Sequence, residues 1–422
     1  MLRRLVRTVG PLLLITLVTL VAFDLLCNVL GLFPPKYLYG DRDLGWLAAP
    51  HRAAVYEDRC TQLESGRVIK YARNEDGIRT AVSAAQLVNH RGELTIAVTG
   101  DSQTDLCAPN SETHPGILES ELRASGTDAI VLAYAMGRYS PLQDYVAYKK
   151  FLRKYNTDAY VLNFYTGNDF NDLLRVDDRP HFVKTAGGYR IAEPVWYRYD
   201  APGVERRSRL IYLAESMLRK TAIPDLTLRL RLLSAAAAAE NKGIFSVLAY
   251  MNDLRRAIEP SLVYGDAFAA QMLNQQLYFH HFPRSREESV NRVQALLGLV
   301  RAENPHTLLA LSAVPSYQLV QQQPVHPALL STFARLPITY EDGVRQEREL
   351  YEMLRGAAFD TGWAFVDNLA AMQDYRGGEQ LFNHADFHLL PPASRIIGQR
   401  QAETIRELRR SREHQANVIA AH

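Results

Sequence analysis

One serine in the chain has surroundings suited to nucleophilic chemistry. Ser102 lies in Thr99-Gly100-Asp101-Ser102-Gln103-Thr104, directly behind the apolar run LTIAV at 94–98. A serine in a glycine-containing turn at the carboxyl end of a strand can expose its hydroxyl, and the N-terminus of a following helix favours an oxyanion beside it. That hydroxyl is a poor nucleophile until a base takes its proton. An imidazole is the natural base, with a carboxylate to fix its tautomer and stabilise its cation. Near the C-terminus, Asn383-His384-Ala385-Asp386-Phe387-His388-Leu389 offers such a pair in Asp386 and His388.

Two further segments carry groups suited to negative charge that develops only in a transition state. Behind AIVL at 129–132 comes Ala133-Tyr134-Ala135-Met136-Gly137-Arg138-Tyr139-Ser140, where Gly137 leaves its backbone N–H accessible. Behind AYVLNF at 159–164 comes Tyr165-Thr166-Gly167-Asn168-Asp169, where Asn168 brings a neutral amide donor. Singly, each has an ordinary explanation: Ser102 as a helix cap, Asn168 as an Asx turn, and the His/Asp segment as a surface loop, the reading that suits His384. Together, on one side of one sheet, they carry weight.

That sheet must come from the short apolar runs that precede these segments. Leu94–Val98, Ala129–Leu132, Ala159–Phe164, Leu308–Ser312 and Ala364–Asp367 are continuous rather than alternating, as in a parallel sheet buried on both faces. Between them HPGILESELRA and DYVAYKKFLRKY space apolar residues as helices do. The expected product is a doubly wound α/β domain, in which ligands bind outside the carboxyl ends of the strands. The interval from about 171 to 290 is too long for one crossover and reads as an insertion. It holds an aromatic, turn-rich stretch with Trp196, Tyr197 and Tyr199, then helical stretches that include the alanine run 235–239. From Ala393 onward the alternation of Arg406, Arg409, Arg410 and Arg412 with Glu403, Glu407 and Glu413 predicts a last helix with a solvated face.

Composition excludes more than it assigns. With 422 residues, 48 Lys+Arg against 46 Asp+Glu and a formal charge of +2, no global field calls for nucleic acid. Three cysteines cannot form a disulfide-dense scaffold. The N-terminal end differs from the average. Residues 11–23 (PLLLITLVTLVAF) carry no charge, apolar character resumes after Asp24 as far as Phe33, and Arg3, Arg4 and Arg7 come before. The length suits one membrane crossing with the N-terminus cytoplasmic and the remainder exported. A cleavable signal peptide is the rival reading; no small-x-small cleavage site follows the apolar core, and an uncleaved anchor is expected. Pro34-Pro35 would end that helix. In an exported chain Cys60 and Cys107 could form one disulfide or remain two thiols. Neither has the spacing of a metal site.

On these motifs the chain resembles the SGNH/GDSL hydrolase superfamily, in particular bacterial membrane-anchored members with a stem. Gly100-Asp101-Ser102-Gln103-Thr104 is similar to the block that holds the family's nucleophile, Gly137 to the second block, Asn168 to the third, and Asp386 with His388 to the last. Asn74…Gly77…Arg79 is similar to a segment upstream of the serine in anchored relatives. Here the acid stands two residues before the histidine, with Ala385 between Asp386 and Asn383-His384 on its other side, where the family usually has a spacing of three. Gly167 is adjacent to Asn168, where the family usually leaves one residue between.

The resemblance covers about 93–175 and 300–415. It implies a flavodoxin-like three-layer α/β/α SGNH-hydrolase fold. It implies Ser102 as nucleophile, His388 as base and Asp386 as its orienting acid, with an oxyanion hole from the N–H groups of Ser102 and Gly137 and the amide of Asn168. The scheme requires no metal or organic cofactor. The expected organisation is a cytoplasmic tip and anchor at 1–34, a stem at 35–92, and a periplasmic domain at 93–422 held at the bacterial inner membrane. The expected activity is hydrolysis, or transfer, of an O-acyl ester on a cell-envelope glycan. The competing expectation is a non-catalytic envelope glycan-binding or assembly protein that reuses the fold.

Overall fold

A computed structural model describes residues 38–48, 54–59, 68–89, 94–195 without Cys107, 233–234, 236–264, 267–321, 327–383 and 387–420, with single positions in 11–23, at 92 and at 325. Five strands begin at the residues expected of them: β5 (Leu94–Gly100), β6 (Ala129–Ala135), β7 (Ala159–Tyr165), β10 (Leu308–Val314) and β11 (Ala364–Asp367). They pair in the order β11-β10-β7-β5-β6, all parallel. This is the flavodoxin-like winding. The direction of strand succession reverses between β5 and β7, and ligands collect at such a reversal.

The strands read as continuous apolar runs because both faces are covered. Ile96, Val98, Val131 and Val161 face one core with Leu118 and Leu122 of α1 (His114–Ala124) and Ile405 of the last helix. Ala97, Ile130, Leu132, Tyr160, Leu162 and Phe164 face the other. Successive side chains thus alternate between two buried layers rather than between core and water. The second core also takes in α2 (Pro141–Ala147) and α6 (Pro283–Glu303), together with α7 (Tyr340–Asp360). The insertion contributes a hairpin, β8 (His181–Thr185) with β9 (Gly188–Ala192), and the helices α4 (Ile244–Tyr264) and α5 (Ala267–His281). The C-terminal helix α8 runs from Pro391 to Ala420, and its half-buried Arg409 pairs with exposed Glu413 one turn on.

The described parts of the segment read as a stem pack against this domain. The hairpin of β1 (Leu38–Asp41) and β2 (Gly45–Ala48) buries Leu44 and Trp46 in the second core. The Tyr139 hydroxyl donates to the Trp46 carbonyl at 2.6 Å, and the Gln143 amide donates to the Leu44 carbonyl at 2.7 Å. Behind a second hairpin, β3 (Ala54–Arg59) with β4 (Val68–Arg73), the Asn74 side chain accepts the N–H groups of Asp76 and Ile78. This folds a tight turn in which Gly77 adopts φ +78°, open to glycine without strain. The turn aims Arg73 and Arg79 at the loop behind Ser102. Both pair with Asp105, at 2.6 and 3.1 Å, and Arg79 also donates to the Leu106 carbonyl at 2.7 Å.

The anchor expectation and the Cys60–Cys107 question fall mostly or wholly outside the described residues. Within 11–23, Ile15, Val18, Leu20, Val21 and Phe23 are helical and exposed. Among the described residues no helix is long and apolar enough to cross a membrane.

Candidate active site

Three of the expected residues follow three adjacent strands at the point of reversal: Ser102 after β5, Gly137 after β6 and Asn168 after β7. The Ser102 turn is built by the acid that precedes it. The Asp101 carboxylate accepts the Gln103 N–H at 2.8 Å, and the Asp101 carbonyl accepts the N–H groups of Thr104 and Asp105. Gly100 admits no side chain, since a Cβ there would stand 2.9 Å from Thr104 Cβ and 3.0 Å from Asn163 Cβ. Ser102 is left at the crest of this turn, partly exposed.

Gly137 is its direct neighbour. A Cβ built on Gly137 would lie 3.9 Å from Ser102 Cβ, ordinary van der Waals contact, so the β6 loop runs beside Ser102. The next residue, Arg138, adopts φ +72°, and Tyr139 N–H closes the turn on the Met136 carbonyl.

Asn168 starts the short helix α3 (Asp169–Asp172) but does not cap it. Its amide nitrogen donates to Asp172 at 2.7 Å, and Asp172 is itself held by Arg179 at 2.7 Å. The Asx turn that would explain Asn168 without function is therefore not made.

His388 is 5% exposed and sits in a tight loop. The Asn383 N–H donates to the His388 carbonyl at 2.8 Å, Phe387 has φ +56°, and its ring packs on Tyr317 with centroids 4.8 Å apart. The loop is tied to the Ser102 turn by a residue to which the sequence motifs assign no role. Gln103 Nε2 donates to the Phe387 carbonyl at 3.4 Å, and Gln103 Oε1 accepts the Leu389 N–H at 3.0 Å. One amide, adjacent to Ser102, thus grips the backbone on both sides of His388. Asp386 lies outside the described residues.

The electrostatics agree with this proximity. Burial pushes the Asp101 carboxyl up to about 6, against the Gln103 N–H and the neighbouring His388 ring, which hold it down, while Asp172 raises it. Burial also raises Asp169 and Asp144 well above the ordinary carboxylate range, with neighbouring negative charges adding to it. Among the described residues no group of His, Cys, Asp and Glu side chains could hold a metal ion.

Other functional contacts carried weak sequence signals or none. Asp172 stands one helical turn from Asn168, a spacing readable in advance. Gln103 was visible within the motif, but its partners lie 284 and 286 residues away. We expect Gln103→Leu, which keeps volume and loses both bonds, to lower kcat on p-nitrophenyl acetate by about ten- to a hundredfold through misplacement of His388. An unchanged kcat in the folded variant would remove Gln103 from the machinery.

No family model and no curated protein matches the chain. Among solved structures the chain is similar to a lipase/acylhydrolase from Enterococcus faecalis, at 11% identity over 74% of this chain and 95% of that one, with a TM-score of 0.35. It is similar to an acetylxylan esterase from Geobacillus stearothermophilus at 11% identity, over 74% of this chain and 94% of the other, also with a TM-score of 0.35. TesA matches at 11% identity over 74% of this chain and 99% of its own, with a TM-score of 0.34. At this distance the chemistry rests on the residues of the site itself.

Proposed function

We propose that the chain is a serine ester hydrolase of the SGNH/GDSL type, acting on an O-acyl ester. The observation that carries this reading is the convergence of Ser102, Gly137 and Asn168 at three neighbouring strand ends, with the His388 loop tied to the residue beside Ser102. Ser102 Oγ attacks the ester carbonyl as His388 takes its proton, and Asp386 orients the imidazole. The negative oxygen of the tetrahedral intermediate is met by the N–H groups of Ser102 and Gly137 and by the Asn168 amide. His388 then returns the proton to the leaving alcohol. Water, or a sugar hydroxyl if the enzyme is a transferase, releases the acyl group from Ser102 by the reverse sequence.

The substrate proposal is an O-acetylated cell-envelope glycan or its lipid-linked precursor. Its support is the uncharged N-terminal run behind Arg3, Arg4 and Arg7, which fits an inner-membrane tether with the domain in the periplasm. The test is acetate release from a panel of acetylated glycans by the full chain, with Ser102→Ala as control and a serine-directed fluorophosphonate as reporter of the nucleophile. Ser102-dependent release supports the reading. A folded protein that neither labels nor releases acetate would favour glycan binding without catalysis.

A further inference from the structure

The insertion is the largest part of the chain to which the catalytic scheme gives no task. One of its side chains reaches the site. Gln275 of α5 is 2% exposed, and its amide spans the turn that carries Asn168. Nε2 donates to the Thr166 carbonyl at 2.8 Å, while Oε1 accepts the Asn171 N–H at 3.2 Å.

The accepting half bears directly on Asn168. An asparagine at the start of a helix ordinarily turns its side-chain oxygen to the N–H of the second or third helical residue. Asn171 is the third residue of α3. Its N–H is already taken by Gln275, and the Asn168 side chain makes no capping bond. Instead the Asn168 amide nitrogen donates one hydrogen to Asp172 at 2.7 Å. An amide nitrogen carries two hydrogens, so a second remains to be given to a substrate oxygen. If Asn168 capped α3 itself, its oxygen would swing toward Asn171 and its nitrogen would leave Asp172.

The donating half holds a residue just before Asn168. Thr166 is fixed from the opposite side as well, its hydroxyl donating to buried Glu347 at 2.5 Å and accepting the Ser316 N–H at 3.1 Å. The backbone entering the turn is therefore held without Gln275, and the cap is the variable that Gln275 controls.

We infer that Gln275 is a positioning residue for the oxyanion asparagine: the insertion supplies the cap of α3, so that the Asn168 amide stays turned to Asp172 with one N–H for the substrate. The kinetic consequence rests on the esterase reading above; the structural one does not. Gln275→Ala is expected to lower kcat on p-nitrophenyl acetate about ten- to a hundredfold, with KM changed by no more than roughly twofold. In an Asn168→Ala background the same change is expected to cost no further kcat, because Gln275 acts only through that amide. Full additivity of the two losses, or an unchanged kcat in Gln275→Ala, would overturn the inference. A crystal structure of Gln275→Ala tests it without reference to activity. Asn168 Oδ1 turned to the Asn171 N–H is expected; an amide still donating to Asp172 sinks the idea. Should the wild-type chain show no Ser102-dependent turnover, the esterase reading falls, and that crystal structure still decides the exchange of caps.

Discussion

Ser102→Ala should lower kcat/KM on p-nitrophenyl acetate by about 10⁴-fold or more, and His388→Ala by a similar factor. Both halves of the proton transfer are needed at once: without the hydroxyl there is no nucleophile, and without the imidazole the hydroxyl keeps its proton. The double variant should therefore be no slower than the worse single one, since residues that act as a unit lose their effect together. His388→Ala is a clean probe, because backbone contacts that hold the loop do not depend on the imidazole. The Asn383 N–H to the His388 carbonyl, both Gln103 bonds and the Phe387–Tyr317 packing all survive the substitution. Steady-state kinetics with a thermal melt on each variant checks the prediction. Full activity in Ser102→Ala would move the nucleophile elsewhere, and multiplicative losses in the double variant would separate His388 from Ser102.

How much of this was legible in the chain depends on how local the determining contact is. The five strands were readable because a strand buried on both faces must be apolar throughout, and that pattern is complete within half a dozen residues. Their carboxyl ends were readable for the same reason, which placed Ser102, Gly137 and Asn168 from sequence alone. The segment at 35–92 is misleading in its polarity. Arg73 and Arg79 look solvated in sequence, yet both are buried on Asp105 and on backbone carbonyls, Arg79 on that of Leu106 in the loop behind Ser102 and Arg73 on that of Ala135 at the end of β6. A buried arginine is recognisable only from its partners, and the shared Asp105 lies 32 residues from Arg73 and 26 from Arg79. Gln103 and Gln275 are harder still. Glutamine is an ordinary residue in a turn or on a helix, and what sets these two apart is a two-ended hydrogen bond to backbone in a distant loop. The insertion holding Gln275 has no counterpart in the resemblance, so nothing pointed to it.

Asn168→Ala is expected to cost about 10²–10³ in kcat, roughly 2.7–4 kcal/mol of transition-state stabilisation, with little change in KM. As the proposed oxyanion donor, the neutral amide would bind the ester carbonyl weakly and act as the oxygen gains charge. Asn168→Asp should be worse than Asn168→Ala. It replaces the donor by an acceptor whose charge opposes the oxyanion, and Asp172 would then face a second carboxylate where it now accepts an N–H at 2.7 Å. The surroundings explain why the site can keep a carboxylate so near. Asp172 is compensated by Arg179 at 2.7 Å and by Arg175 at 3.6 Å, while burial holds Asp169 and Asp144 above the usual carboxylate range. The acid that orients the amide is thus itself paired with two guanidinium groups. Kinetics on an activated acetyl ester across the series Asn168, Ala and Asp provides the measurement. Equal kcat in all three would exclude the amide from the oxyanion hole, and a rise in KM with kcat intact would make Asn168 a ground-state binding group instead.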